Sequence, residues 1–150
     1  MQKLLIRLAN PFMKLITRSP LHGLVSRNVM LITFLGKKSG KTYTTPVNYV
    51  RDGEDLVIIS QRDRTWWRNL RGGAPVQVTL QGQEMKGVGH SFEDDKAVVE
   101  GLLFTLQRVP RLRDTYQIEL TAGGQPQDTE ALMQLAETKV IVRVTDLTAE

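Results

Sequence analysis

Apolar and polar positions along the chain change period several times, and each change marks an element. Val29–Leu35 is an unbroken β-prone run. Gly36–Lys41 turns, and Thr42–Arg51 returns as a second strand. Asp52-Gly53 is a hairpin signal leading to a third strand, Asp55–Gln61. Asp63 is placed to cap a short helix over Arg64–Leu70, which Gly72-Gly73 ends. Val76–Leu80 alternates, Gln81-Gly82 turns, and Gln83–Phe92 reads as the partner strand. Glu93–Val109 has helical spacing and stops at Pro110. Arg111–Gln127 shows no clear period and holds a loop at Gly123–Gln127; Asp128–Ala136 is a short helix and Val140–Thr145 a closing strand.

Ahead of these strands, residues 2–18 carry a different pattern. Lys3, Arg7, Lys14 and Arg18 share one helical face, with Leu4, Leu5, Leu8, Phe12, Leu15 and Ile16 filling much of the rest. Asn10-Pro11 divides the segment into two short helices, with Asn10 capping and Pro11 in the first turn. Charges interrupt it too often for a membrane span, and no apolar core leads to a signal cleavage site. Two readings stay open: a helix packed on the domain, or one that also rests on an anionic membrane surface.

Five or six antiparallel strands with short hairpins and peripheral helices predict an α+β chain. Closing such a small sheet into a barrel hides its edges. With 150 residues, one domain over 29–150 follows a basic amphipathic segment at 1–28. Hydrophobic content of 41% and charged content of 24% place the chain among globular proteins rather than disordered ones.

Charge changes the picture more. Nine Lys and Arg precede Asp52, the first acidic residue, whereas eleven face sixteen acids after it. A net +4 therefore hides a front of +9 and a back of −5. An anionic partner is implied for the front: a phosphate-bearing cofactor, nucleic acid or lipid headgroups. The absence of cysteine excludes disulfides, thiolate metal sites and cysteine nucleophiles. His22 and His90 are far apart without metal-type partners, so no metal site is expected.

Gly36-Lys37-Lys38-Ser39-Gly40-Lys41-Thr42 echoes a P-loop, but its first glycine is one residue too close and strand formers follow it. ATPase and GTPase chemistry is rejected. The turn either cradles an anion with backbone N–H groups and ammoniums or is a solvated lysine hairpin. Thr44-Thr45-Pro46 breaks a ladder, freeing a backbone group for a ligand or marking an edge strand. Trp66 and Trp67 point about 100° apart on a helix, so one can face the core and the other a cleft. Arg62, Arg64, Arg68 and Arg71 surround them, and stacking on a base, stacking on a cofactor ring, or plugging a barrel end all remain open. Ser39 and Ser60 have no histidine placed to activate them, so an enzyme built from these parts needs a cofactor to carry the chemistry.

Taken in order, the first strand, G-K-K-S-G, T-T-P, R-D-G, a strand, W-W-x-N-L and another strand resemble the deazaflavin-dependent nitroreductase family over about residues 10–92. That resemblance implies a split antiparallel β-barrel of about six strands, of the FMN-binding-like kind, with peripheral helices. It implies hydride transfer from reduced coenzyme F420 to a quinone, nitro-compound or activated enone. Gly36, Lys37, Lys38 and Ser39 match the turn that holds the cofactor's phosphate and acidic tail, with Lys41 beside them. Thr44, Thr45, Pro46 and Val47 match the strand along the ring; Ser60 and Gln61 match the next strand's end; Trp66, Trp67 and Asn69 match the helix at the cleft.

Two departures bear on the cofactor. Tyr43 stands where the family often has arginine, and Gln61–Thr65 crosses a gap that in the best-known branch holds a glycine-containing insertion. Related branches bind FMN, haem or fatty acids, so an FMN or haem protein and a non-catalytic lipid carrier are the alternatives. Tyr43, Tyr49, Tyr116 or solvent supplies the proton. The expected setting is cytoplasmic, with the N-terminal segment meeting the inner membrane face. Partners are a small-molecule electron acceptor and a second copy of the chain, not nucleic acid, because the basic residues form no continuous run.

Overall fold

In the computed structural model, residues 28–149 are described. The predicted helices at 2–18, and with them His22, lie outside those residues.

Seven strands form one antiparallel sheet: β1 (Val29–Leu35), β2 (Thr42–Asn48), β3 (Val50–Asp52), β4 (Asp55–Gln61), β5 (Ala74–Leu80), β6 (Gln83–Phe92) and β7 (Lys139–Ala149). Their spatial order is β2-β1-β5-β6-β7-β4-β3. The two outermost strands are consecutive in the chain and separated only by Tyr49. The sheet therefore curls until its ends meet in one ribbon, which is the expected split barrel with one more strand than the upper estimate. The predicted continuous strand over residues 42–51 divides because Tyr49 turns inward. Its N–H donates to the Asn28 carbonyl at 3.0 Å, and its ring is buried.

Alternation assigns two cores. Met30, Ile32 and Phe34 of β1, Leu56 and Ile58 of β4, Val76 and Val78 of β5, and Val140, Val142 and Val144 of β7 fill the barrel. The intervening Val57 and Ile141 face outward under the helices α1 (Asp95–Arg108) and α3 (Thr129–Glu137), against Val98, Leu102, Leu106, Leu132 and Ala136. Each such buried aliphatic contributes about 1.5–3 kcal/mol. Asp94 caps α1 through the Ala97 N–H at 3.1 Å, and Asp128 caps α3 through the Ala131 N–H at 3.1 Å.

Three predictions need correction. Asp63 caps nothing: Arg62 N–H is still bound to the Thr138 carbonyl at 2.8 Å, so the chain leaves the sheet late. Only Trp66–Leu70 coils, as a 3₁₀ turn with no side-chain cap. Pro110 ends α1 but opens a further helix, α2 (Pro110–Tyr116), by taking the first position where no N–H is needed. Finally, β5 begins two residues before Val76, and β7 extends from Lys139 to Ala149. Gly72 and Gly73 do end the 3₁₀ turn as expected, both with positive φ.

Candidate functional site

Where the barrel splits, β2 and the end of β4 are not bonded neighbours, and a cleft of about 380 Å³ opens between them. Pro46, Val47, Ile59 and Trp66 supply its apolar lining, while Ser60, Gln61, Arg64 and Lys139 add polar groups. Tyr116, the last residue of α2, closes one side. A second space of about 280 Å³ beneath α2 shares Asn48, Ile59 and Tyr116 with the first. Tyr116 thus stands at the divide between two adjoining spaces. Each is close to the size of small-ligand sites.

Trp66 is positioned by three contacts. Its indole N–H donates to Ser60 Oγ at 3.0 Å, its ring centroid lies 5.8 Å from that of Phe34, and its carbonyl accepts from Asn69 Nδ2 at 3.0 Å. The other side of Asn69 reaches the lysine turn, where Oδ1 accepts the Lys37 backbone N–H at 2.9 Å. Lys37 Nζ donates to the Arg71 carbonyl at 2.7 Å. The turn is therefore fastened to the 3₁₀ helix about 6 Å along its axis from Trp66. Arg71 is itself held by a two-point contact with Glu93, at 2.7 and 2.9 Å. The Arg71 hydrogen bond lowers the Glu93 carboxyl below its ordinary value, so this stabilisation holds in neutral solution and is lost as pH falls through that lowered value. The pair is solvent-exposed, and its contribution is small.

Within the turn, Gly36 N–H donates to the Lys41 carbonyl and Gly40 N–H to the Gly36 carbonyl, each at 2.8 Å. Ser39 Oγ accepts the Lys41 N–H at 3.1 Å and lies 3.1 Å from the Tyr43 hydroxyl. Gly36 is required here, because a Cβ would meet Ser39 Oγ and the Tyr43 ring at 2.7 Å. Among the described residues, the Lys38 and Lys41 ammoniums have no ion pair, and both residues are exposed. The basic turn is thus a rim beside the cleft rather than part of its lining.

The structure brings together Pro46, Val47, Ser60, Gln61 and Trp66 in the cleft, and fastens Gly36, Lys37, Lys38, Ser39 and Lys41 to its rim. Thr44 and Thr45 do not line it. Thr44 hydroxyl is 2.9 Å from that of Thr33. Trp67, assigned to the cleft by resemblance, is instead 1% exposed within the barrel core, with Arg68 and Arg71 over its ring at 5.5 and 5.1 Å. Asn69 serves as the brace between turn and helix. Sequence reasoning missed Arg64 and Lys139 as lining residues. Arg64 was hidden among four arginines, and Lys139 sits before a strand predicted to start one residue later, so nothing signalled that it is buried against Tyr116.

Burial raises the Tyr116 phenol above its ordinary value and lowers the Lys139 ammonium below its own, with Asp63 partly offsetting the latter. The cleft can accept a flat, partly apolar ring and offer cations to oxygen on it. The rim can accept a separate anionic group. No group of His, Asp or Glu suited to a metal ion occurs among the described residues.

Comparisons with known proteins bear on the family and the fold. A family model described as F420H(2)-dependent quinone reductase matches residues 17–109, more than half of the chain. No protein of curated function matches. Among solved structures, a domain-swapped dimer is similar at TM-score 0.54 and 14% identity, over 92% of this chain and 96% of that one. An F420-H2 dependent reductase is similar at TM-score 0.51 and 16% identity, over 79% of this chain and 95% of that one. A haem storage protein from Vibrio cholerae is similar at TM-score 0.52 and 12% identity, covering 82% and 86%. At these identities the structural likenesses establish the split-barrel fold and no more.

Proposed function

The chain belongs to the F420H(2)-dependent quinone reductase family, an oxidoreductase family, and from that premise we propose that the cleft between β2 and β4 holds the cofactor ring and the acceptor, with the lysine turn holding the cofactor's acidic tail. The donor set fits such a group. Apolar walls and an indole suit a flat heterocycle, and exposed ammoniums on the adjoining rim suit phosphate and carboxylate. When bound, the reduced deazaflavin supplies a hydride.

The chain's own residues do the remaining work. Trp66, Pro46 and Val47 wall the ring from water, and Asn69 keeps wall and rim in register. Converting a quinone to a quinol takes two electrons and two protons; a hydride brings both electrons and one proton, so one proton must come from elsewhere. Tyr116, whose phenol is protonated in neutral solution and held so more firmly by burial, lines the same cleft and is the candidate source of that proton. The single observation that carries this reading is the brace from Trp66 through Asn69 to Lys37, which joins an aromatic ring site to a cationic one.

Titration with coenzyme F420 and with FMN, followed by fluorescence, tests it. Tight binding of F420 is expected, and binding of neither defeats the proposal. Lys38→Ala/Lys41→Ala is expected to weaken F420 binding about five- to tenfold at low salt, with the difference vanishing near 0.5 M salt. A salt-independent loss would show that these ammoniums do not meet the tail.

A quinone that resides in lipid would give the basic N-terminal segment a purpose. We read residues 1–28 as contacting an anionic membrane face and the chain as pairing with a second copy. The charge pattern supports the first. Flotation of the full chain with vesicles containing anionic lipid at low salt, beside sedimentation without lipid, tests both. Failure to float, or a mass near 16.9 kDa, removes the respective reading.

A further inference from the structure

Lys139 opens β7 directly opposite Gln61 of β4, and both line the cleft. The residue is only 5% exposed, and its ammonium lies 4.8 Å from the Tyr116 ring centroid. Among the described residues it has no ion pair. A protonated lysine has three donors, and a ring face satisfies none of them as an oxygen would. The other titratable or charged groups near it are Arg64 and Tyr116, which share its cleft, and Asp63, whose charge acts on it from beyond ion-pair distance. Ser60 Oγ is already engaged by Trp66. Little of Lys139 is exposed, yet its ammonium is not sealed from water: it opens on the cleft, and the cleft is the place from which an oxygen partner can come.

We propose that Lys139 is the positioning cation of the cleft, receiving a conjugated carbonyl oxygen of the bound ring, one that gains negative charge when the ring is reduced. The inference rests on the family reading of the cleft and assigns to it a residue outside the matched segment. Both the cofactor's ring and a quinone acceptor carry oxygens of this kind. The Tyr116 ring sets the direction of the ammonium and keeps bulk water from its other side, so the cation need not reorganise as charge develops.

The test uses the full chain, with oxidised coenzyme F420 and menadione as separate probes. Trace acetylation with acetic anhydride, read by mass spectrometry, reports the reactivity of each lysine as pH is varied. Lys139 is expected to reach half-maximal labelling below the pH at which a lysine in water does. At saturation, one of the two probes should suppress labelling of Lys139 at least tenfold and leave Lys96 unchanged; which probe does so identifies the source of the oxygen. Lys139→Met should weaken that same probe about ten- to hundredfold in equilibrium binding, while Lys139→Arg retains most of it. Thermal melting guards against misfolding: Lys139→Met keeps the apolar stem and should melt close to the wild type. Unprotected Lys139 in a chain that binds F420 overturns this inference and leaves the family reading standing. A chain that binds neither probe overturns both.

Discussion

Trp66→Ala loses the ring. The indole is the largest aromatic surface lining the cleft, and its removal also strips a partner from Ser60 and from Phe34. Losing that contact area costs about 1.5–3 kcal/mol of binding, or roughly ten- to hundredfold in Kd for F420. Trp66→Phe keeps much of the apolar area but leaves Ser60 Oγ without its donor, so an intermediate loss is expected. Fluorescence titration checks both variants, with melting curves beside them, because Trp66 is only partly buried and its loss should lower stability modestly. An unchanged Kd in a folded Trp66→Ala protein would move the ring site elsewhere.

The largest effect on stability belongs to Gly87. Here β6 shifts register against β7, and a Cβ would stand 2.6 Å from the Thr145 carbonyl oxygen. That oxygen is backbone in the sheet and cannot swing aside as a side chain would. Leu147 and Val144 crowd the same point at 3.2 Å. Gly87→Ala should therefore cost about 2–3 kcal/mol, lowering Tm by roughly 6–10 °C for a domain of this size. Urea unfolding with an unchanged slope would place the loss in the native state. A shift below about 0.5 kcal/mol would mean that the β6–β7 register relaxes more easily than its geometry indicates.

Strands were legible in the sequence wherever one face is buried. Met30, Ile32 and Phe34, and likewise Val140, Val142 and Val144, carry their assignment in alternation. Hairpin turns were legible because glycines punctuate them. The division at Tyr49 was not, because it depends on the Asn28 carbonyl, a contact between segments that no local pattern encodes. The 3₁₀ turn was misread as a capped helix for a similar reason: Arg62 remains tied to Thr138, which lies 76 positions later in the numbering. In the candidate site, the ordered motifs located the basic turn and Trp66. They did not separate Trp66 from Trp67, since adjacency leaves open which indole turns inward. Lys139 carried no local signal at all. Its importance arises from Tyr116 and Gln61, brought to it by α2 and β4.

Asn69 imposes a condition on anyone who would reuse these parts. One amide spans two peptide groups, Trp66 on one side and Lys37 on the other, so the basic loop, though shaped by its own hydrogen bonds, takes its position relative to the indole from the short helix beside it. Grafted alone onto another scaffold, the hexapeptide would display its charges but not aim them. Transplanted with the Trp66–Leu70 helix, it would travel as a single module with its separation from the indole preserved.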